Sequence, residues 1–375
     1  MSVPAYLDNA ATTAMRPEAV AAMVPYLRDR FGNPSGSHAV SREAKKALEE
    51  ARDVVADCLG ADASEIVFTA SGTEADNLAI FGAHAVRPGV VVCSAVEHHA
   101  VLHPTEILGG ALAPVLPDGT IDLDALRLVL GPEVSVVAVM LANNEVGTVQ
   151  PLADVVAVVR ERAPGAVVVT DAVQAFSWVD VAAAAAGADF VAVSAHKFGG
   201  PKGVGALVVR RGVQVRTMIH GGGQERDRRS GTSNVAGVVA MAAAMHATVR
   251  DREATVARVG ALRDRLADGL LAAVEGAAET GHRARKVAGN CHLTFPGVES
   301  EALLVLLDAA GVYAAAGSAC TSGAVEPSHV LAAMGVPRER GLGALRLSLG
   351  PETTDADVDL ALAAVPEAVA RLREE

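Results

Sequence analysis

Cys320 lies in a stretch that looks neither like a packed core nor like a metal site. The stretch is GSACTSG (317–323), which surrounds the thiol with small and hydroxyl-bearing residues. The thiolate is the reactive form of cysteine, so an exposed and weakly packed thiol is available for chemistry. The other cysteines, Cys58, Cys93 and Cys291, occur in apolar or strand-like contexts that favour small buried side chains. The sequence therefore raises the question of why one of its cysteines, Cys320, lies in such a stretch.

A lysine follows a predicted strand in SAHKFGGPKG (194–203). The strand ends at Ser194, and Lys197 lies in the glycine-rich loop after it. Ligands of open α/β sheets bind beyond the carboxyl ends of the strands. A lysine there can form a Schiff base with an aldehyde, provided that its amine loses its proton. The alternative is a surface lysine in a turn, which is how we interpret Lys202.

An aspartate occupies a second predicted strand end. Asp171 closes an apolar run in TDAVQA (170–175). A carboxylate there could pair with the protonated ring nitrogen of pyridoxal phosphate (PLP), which keeps the ring an effective electron sink. Gln174 could bond the phenolic oxygen of the same ring. The alternative for Asp171 is a helix N-cap.

A third strand runs into the residues TASGTEADN (69–77), which have the composition of a helix start. Backbone N–H groups and the helix dipole at such a start form a phosphate site. Gly72 and Thr73 would donate to the phosphate. The alternative is an ordinary capped helix with Glu74 in its first turn.

Histidines cluster in AVEHHAVLH (95–103). One of them could stack on an aromatic cofactor ring. His99 and His103 also have the i, i+4 spacing of zinc ligands, but the HExxH motif is absent and no third ligand is evident. The combination of a stacking ring, a phosphate site, a pyridinium partner and a lysine indicates PLP better than any one of them does.

Apolar runs supply the strand ends that carry these residues. They are EIVFTA (65–70), GVVVCS (89–94), VSVVAVM (134–140), GAVVVTD (165–171), ADFVAVS (188–194) and VGALVVR (204–210). Nearly continuous apolar runs are typical of strands covered on both faces, as in a mostly parallel sheet between helices. We predict a large α/β domain over 16–250. An alanine-rich helix from about 234 to 275 leads towards a smaller α+β domain.

The composition describes an ordered globular protein. Of the 375 residues, 51% are hydrophobic, and the net charge is -12 with a pI near 5.4. This charge disfavours broad binding to nucleic acid or to anionic membranes. The start MSVPAYLDNAATT has no pattern of a secretory signal, and the apolar runs are too short to span a bilayer. Scattered cysteines without CxxC favour a reducing cytoplasm.

Longer motifs extend through nearly the whole chain. They are YLDNAATT, FGNPSGSH, EIVFTASGTEADNLAI, EHHAV, NNEVGTVQ, DAVQ, SAHKFGGPKGVGAL, GGGQERDRRSGT, GSACTSGAVEPSHVL and LRLSLG. Together they resemble the cysteine desulfurases, in the NifS/IscS-like branch of the class V PLP-dependent aminotransferase family. The resemblance implies the type I PLP-dependent transferase fold, with 1–15 and 251–375 forming the small domain and a mobile cysteine loop at about 314–328. It also implies a PLP-dependent sulfurtransferase that takes sulfur from L-cysteine, releases L-alanine and holds a cysteine persulfide.

The resemblance implies a role for each candidate residue. Lys197 would bind the cofactor covalently and move the substrate's α-proton, and His98 would stack on the ring. Cys320 would attack the sulfur of the substrate, with His98 as our candidate for the acceptor of the thiol proton. Arg346 would bind the substrate carboxylate through its two-donor fork, with Asn33 and Asn144 beside it. The further cofactor contacts would be Gly72, Thr73, Asn144, Asp171, Gln174, Ser194, His196 and, reaching from the partner subunit, Thr232.

The resemblance also implies partners. A contact of Thr232 across subunits implies a homodimer. The sulfur would pass to an acceptor protein, either an iron–sulfur scaffold or a protein of tRNA thiolation. We expect no metal of the protein's own, although Cys320 could transiently ligate a cluster on a scaffold partner. We expect no direct contact with nucleic acid or membrane.

Other functions remain as alternatives. A selenocysteine lyase or a related class V lyase need not require Cys320, so a Cys320→Ser variant discriminates between them. A non-catalytic scaffold predicts decay of the catalytic positions, yet Lys197, Asp171, His98 and Arg346 are all intact. A histidine-rich metalloprotein would contain zinc when purified.

Overall fold

The structure, a computed structural model, describes residues 3–316 and 327–374. Its strands are β1 (Ala5–Tyr6), β2 (Ile66–Thr69), β3 (Val90–Ser94), β4 (Ala111–Ala113), β5 (Val134–Ala138), β6 (Val167–Asp171), β7 (Phe190–Ser194), β8 (Gly205–Val209), β9 (Ala278–Glu279), β10 (Asn290–Thr294), β11 (Val312–Tyr313) and β12 (Ala344–Ser348). Its α-helices are α1 (Pro17–Arg28), α2 (Ala39–Leu59), α3 (Gly72–Val86), α4 (His99–Ile107), α5 (Leu123–Val129), α6 (Leu152–Arg162), α7 (Val181–Ala184), α8 (Val235–Ala273), α9 (Ser300–Ala309), α10 (His329–Ala333), α11 (Arg338–Gly341) and α12 (Asp355–Glu374). Within the described ranges, no helix is long and apolar enough to cross a membrane.

The central sheet has seven strands in the order β2-β8-β7-β6-β5-β3-β4. The pairs from β7 to β4 are parallel, and only β8 is antiparallel, to both β2 and β7. The prediction of a mostly parallel sheet is confirmed, and each apolar run forms a strand. Strand β4 was not predicted, because its three residues are too few to form an apolar run.

Helices cover both faces of this sheet. Leu78 of α3 and Val101 of α4 belong to the core on one face. Val55 of α2, Val158 of α6 and Met241 of α8 belong to the core on the other. Strands that are buried on two faces have no solvent-facing side, which explains why their sequences do not alternate.

A smaller α+β part packs beside the sheet. Strands β12, β10 and β9 form an antiparallel sheet, and β1 pairs with β11. Leu266 of α8, Leu303 of α9 and Val365 of α12 share its core with Leu7. Helix α8 thus contributes to two cores. The division between residues 250 and 251 stays a prediction.

Candidate active site

A cavity of about 630 Å³ opens beyond the carboxyl ends of the central strands. Asp171 ends β6, Ser194 ends β7, and Gly72 begins α3 shortly after β2. The smaller part supplies the opposite wall. The cavity brings together ten of the predicted site residues: Gly72, Thr73, His98, Asn144, Asp171, Gln174, Ser194, His196, Lys197 and Arg346.

A larger cavity, about 1120 Å³, lies on the other side of the N-terminal segment. It is lined by Met15, Arg16, Thr248 and Leu360 among others, and of the predicted site residues that the structure describes it contacts only Lys197. The smaller cavity is the better candidate site, because it collects the groups with perturbed acidity.

Lys197 lies in a tight turn after β7. Its Nζ donates to the carbonyl oxygens of Ala10 at 2.5 Å and Ala11 at 2.9 Å. Burial, together with the positive charge of Arg346, lowers the pKa of the amine to about 8, although Asp171 opposes this shift. The amine therefore loses its proton far more readily than an exposed lysine does.

Asp171 faces the cavity from the end of β6. Its carboxylate accepts the backbone N–H of Val173 at 2.8 Å, in a turn and not in an α-helix, so the N-cap interpretation is wrong. Burial raises the pKa of Asp171 to about 6, opposed by that N–H and by Lys197. Gln174 donates from Nε2 to Ala10 O at 2.7 Å, the same carbonyl that Lys197 uses.

The start of α3 is both a capped helix and a concave wall. Ser71 accepts the N–H of Glu74 at 3.1 Å, as an N-cap does. A Cβ on Gly72 would lie 2.7 Å from Val173 Cγ2, so only glycine allows this approach. Arg229 binds Glu74 at 2.8 Å and offsets the negative charge of the first turn. The helix start can therefore receive an anion.

Two histidines of the cavity are neutral. His98 caps α4, and its Nδ1 accepts the N–H of Ala100 at 3.1 Å, which leaves the ring proton on Nε2. Burial, and after it the charge of Lys197, lowers the pKa of His98 to about 4. The same causes lower the pKa of His196 to about 4. His98 can therefore stack and donate through Nε2, and its role as acceptor of the Cys320 proton stays a prediction.

Arg346 is positioned by strand β12. Its side chain is 6% exposed, and Nη2 donates to Asp8 at 2.7 Å while Nη1 donates to Asn144 O at 2.9 Å. The fork is thereby held at the cavity wall. Sequence reasoning missed Asp8, although it lies inside the quoted motif YLDNAATT.

Some predicted residues lie elsewhere. Asn33 is exposed in the loop after α1, where it accepts the N–H of Ser35 at 3.0 Å, and Thr232 is exposed after the sheet. Neither lines the cavity. Cys320 lies outside the described residues. The chain on either side of its segment reaches the cavity, at Ala316 before it and His329 after it.

The remaining cysteines are free thiols away from the cavity. Burial raises the pKa of Cys58 to about 11 and that of Cys93 and Cys291 to about 12. Such thiols are poor nucleophiles. Their interpretation as small buried residues agrees with this structure, with Cys58 only half-buried.

The histidines of α4 meet a third histidine. The ring of His99 lies 5.0 Å from the rings of His103 and His329. Among the described residues, no group of three histidine, cysteine or acidic side chains could hold a metal ion. His329 bonds the backbone oxygen of Glu97 at 2.9 Å, so the cluster joins α10 to the cavity wall.

Sequence reasoning also missed two buried acids. Asp76 of α3 lines the cavity at 1% exposure, and Glu97 is fully buried. Both lie in quoted motifs, TEADN and EHHAV. Asp76 was covered only by the interpretation of 69–77 as a helix start, and Glu97 had no predicted role, because burial cannot be read from the pattern of either motif.

The chain is similar to known proteins along nearly its whole length. The family described as aminotransferase class-V matches residues 5–361. A protein of Mycobacterium tuberculosis named IscS-like cysteine desulfurase is 47% identical, over 98% of this chain and 97% of its own. A solved structure titled NifS-like protein is 34% identical, with a TM-score of 0.92 over 98% of this chain and all of its own.

A second solved structure is titled SspA in complex with cysteine. It is 30% identical, with a TM-score of 0.80, and covers 93% of this chain and all of its own. These relatives match the chain along nearly its full length and share its fold. The chain therefore belongs to the class-V aminotransferase family, and within it to the cysteine desulfurases.

Proposed function

We propose that the protein removes the sulfur of L-cysteine with the help of PLP, releases L-alanine and carries the sulfur as a persulfide on Cys320. The observation that carries this proposal is the meeting of Lys197, Asp171 and Arg346 in one cavity. The lysine of lowered pKa can bind an aldehyde, and the buried carboxylate can pair with a ring nitrogen. The fixed guanidinium can bind a substrate carboxylate.

The residues of the cavity fit PLP. The N–H groups at Gly72 and Thr73 and the neutral side chains of Ser194 and His196 can hold a phosphate. Asp171 can hold the protonated ring nitrogen. Lys197 can bind the aldehyde carbon. When bound, PLP withdraws electrons from the substrate's carbon skeleton and makes its bonds at Cα and Cβ labile.

Arg346 selects an α-amino acid. Its fork faces the cavity while Asp8 and Asn144 fix its plane, so a substrate carboxylate can take up one edge of the guanidinium. Orientation by two parallel hydrogen bonds limits the rotation of the substrate. Asn33 and Thr232 line no part of this cavity, and their roles in substrate and phosphate binding remain part of the proposal.

Lys197 moves the proton of the reaction. With its pKa lowered to about 8 by burial and by Arg346, the Nζ atom can accept the α-proton of the substrate near neutral pH and return it later. The neutral Nε2–H of His98 can donate a hydrogen bond above the ring. The role of His98 as acceptor of the thiol proton of Cys320 stays part of the proposal.

The sulfur step conserves atoms and electrons. The Cys320 sulfur bonds to the substrate sulfur, the Cβ–S bond of the substrate breaks, and Cβ takes up a proton to become the methyl group of alanine. The thiol proton and the substrate's S–H proton supply the hydrogen balance. Cys320 follows Ala316, which lines the cavity. This closeness in sequence supports Cys320 as the attacking thiol.

We also propose a homodimer and a protein acceptor of the sulfur, with the reaction in the cytoplasm. Exposed apolar side chains form a row on α1 and after it, at Val20, Val24, Leu27 and Phe31. Such a row favours burial against another chain. Thr232 is exposed, which leaves it free to reach a partner's cavity, as we propose. The acceptor is an iron–sulfur scaffold or a protein of tRNA thiolation.

The test measures alanine formed from L-cysteine by the purified protein with PLP, with and without dithiothreitol. We expect alanine from the wild type, sulfide release when dithiothreitol is present, and loss of alanine in Cys320→Ser. Cys58→Ser, which changes a half-buried thiol of raised pKa, is the matched control and should keep activity. Alanine formation that survives in Cys320→Ser would contradict the persulfide mechanism. Activity on selenocysteine alone would indicate a lyase instead.

A further inference from the structure

Asp76 and Asp171 line the cavity and form what we call its floor, and the buried acid Glu97 acts electrostatically on Asp76. Asp76 is 1% exposed, Glu97 is 0% exposed and Asp171 is 7% exposed. Asp171 raises the pKa of both other acids by repulsion, and Glu97 adds to the repulsion at Asp76. Isolated buried carboxylates are unfavourable unless a cation or several hydrogen bonds compensate them.

The three carboxyl groups differ in how far hydrogen bonds and positive charges stabilise them. Asp171 accepts the N–H of Val173 and feels the positive charge of Lys197. Glu97 accepts the N–H of Met140 at 2.7 Å through Oε1, and its Oε2 atom has no partner in the described part of the chain.

Asp76 is the least compensated. Its Oδ1 atom has no hydrogen-bond partner among the described residues, although the side chain lines the cavity. The surrounding charges that act on it are the two other acids. Burial is the first cause that raises its pKa, and the repulsion by those two acids adds to it.

We propose that Asp76 is a positioning residue, which stays a neutral carboxylic acid beside Asp171 so that the floor presents one negative charge to the cofactor's ring nitrogen. This role rests on the proposed use of PLP. A single protonated ring nitrogen carries a single positive charge, and Asp171 alone balances it. The proton on Asp76 also provides a hydrogen-bond donor in the cavity that this side chain lines. Glu97 is a second fully buried acid, and burial raises its pKa as well.

The proposal distinguishes the effects of three substitutions. Asn at position 76 keeps a donor and adds no charge, so Asp76→Asn should preserve PLP affinity within about threefold. Ala removes the donor and leaves a space, so Asp76→Ala should weaken PLP binding roughly tenfold or more. Asp171→Asn removes the charge itself and should weaken it further.

The first measurement needs no cofactor. Infrared spectroscopy of the apoprotein at neutral pH detects the carbonyl stretch of protonated carboxyl groups. We expect this band to lose intensity in Asp76→Asn and in Glu97→Gln, and to be unchanged in Asp53→Asn, an exposed aspartate of α2. A band identical in wild type and Asp76→Asn would overturn the proposal.

The second measurement is the dissociation constant for PLP, with the absorption spectrum of the bound cofactor and the melting temperature of each apoprotein. A loss of affinity in Asp76→Asn as large as that in Asp171→Asn would show Asp76 to be a second charged group and would overturn the proposal. If the wild type bound no PLP, the proposed function would fail, while the infrared result would still decide the protonation of Asp76.

Discussion

Buried charge is handled in opposite ways in two regions of the molecule. Outside the lining of the cavity, Arg52 of α2 meets Glu225 through two hydrogen bonds of 2.8 and 2.9 Å, with both side chains at most 6% exposed. Glu225 also accepts the N–H of Phe68 at 3.1 Å, and the guanidinium lies 4.5 Å from the Phe68 ring centroid. Burial lowers the pKa of Arg52, but the bonds and charge of Glu225 outweigh it and raise the pKa.

The pair also holds an unusual backbone. Glu225 has a φ of 48°, and the two residues after it are likewise left-handed, which is unfavourable for side chains other than glycine. Arg52 also donates to Glu49 at 3.2 Å and to Ile66 O at 2.9 Å, so the charges of the pair are balanced by groups of the chain itself. This region is therefore complete without a ligand.

At the cavity floor, by contrast, the buried acids lack such partners within the described part of the chain. Asp76 and Asp171 are buried as deeply as the ion pair, yet no guanidinium or amine binds either carboxylate among the described residues. The charges of Arg52 and Glu225 balance each other inside the protein, whereas the negative charge of Asp171 is left for a ligand to balance. Substitution should therefore lower stability in the first region, and lower activity while raising stability in the second.

The largest effect should come from Lys197→Ala. Removal of the amine abolishes the covalent link to PLP and the proton transfer, so desulfurase activity should fall by on the order of a thousandfold or more. The buried ammonium is itself unfavourable, so the apoprotein should unfold at the same urea concentration or a higher one. Alanine assays measure the activity, and urea unfolding measures the stability of the apoprotein. Turnover retained in Lys197→Arg, whose side chain stays protonated, would contradict the role of Lys197 in proton transfer.

The second effect concerns stability alone. Arg52→Met leaves Glu225 buried without its partner and should reduce the free energy of unfolding by about 3–5 kcal/mol. Adding Glu225→Gln should recover part of this loss. Arg127→Met, which breaks an exposed pair with Asp124, should change stability by less than about 1 kcal/mol. Equal losses at Arg52 and Arg127, measured by urea unfolding, would remove the distinction between buried and exposed pairs.

The third effect has the opposite sign. The pKa of Asp171 in the folded protein, about 6, lies above its value of about 3.9 in an unfolded chain. Ionisation therefore opposes folding: the penalty is absent below pH 4, grows through pH 6 and is complete above it. Asp171→Asn should stabilise the apoprotein by about 2–3 kcal/mol at pH 8 and by almost nothing at pH 4. A destabilised variant at pH 8 would mean that Asp171 is a structural charge like Glu225.

The strands and the strand-end residues were predictable from sequence. Apolar runs of strand length define the sheet, and parallel strands necessarily bring their carboxyl ends to one edge, so Lys197 and Asp171 had to lie near each other. The capped start of α3 was equally predictable, because it depends on residues that are neighbours in sequence. These features depend on sequence neighbours and on one rule of topology.

Features that depend on distant partners were not predictable. The contact of Asp8 with Arg346 joins residues at the two ends of the chain. Asp76 and Glu97 look like ordinary acids at helix starts until their burial is known. The tautomer of His98 is a third case, because only the hydrogen bond from Ala100 indicates which ring nitrogen carries the proton.

The smallest effect compares two glycines in helices. At Gly260 of α8 an added Cβ would meet only Ala288 Cβ at 3.8 Å, so Gly260→Ala should raise the free energy of unfolding by about 1 kcal/mol through helix propensity. At Gly72 the Cβ would lie 2.7 Å from Val173 Cγ2, and the displacement of Val173 would disturb Asp171, whose carboxylate that residue's N–H binds. Gly72→Ala should therefore show no gain in stability and a PLP affinity lowered roughly tenfold. Urea unfolding and PLP titration measure both changes. A stabilised Gly72→Ala with unchanged PLP affinity would mean that the cavity floor adapts as freely as a helix remote from the site, and that its geometry is not set in advance for the cofactor.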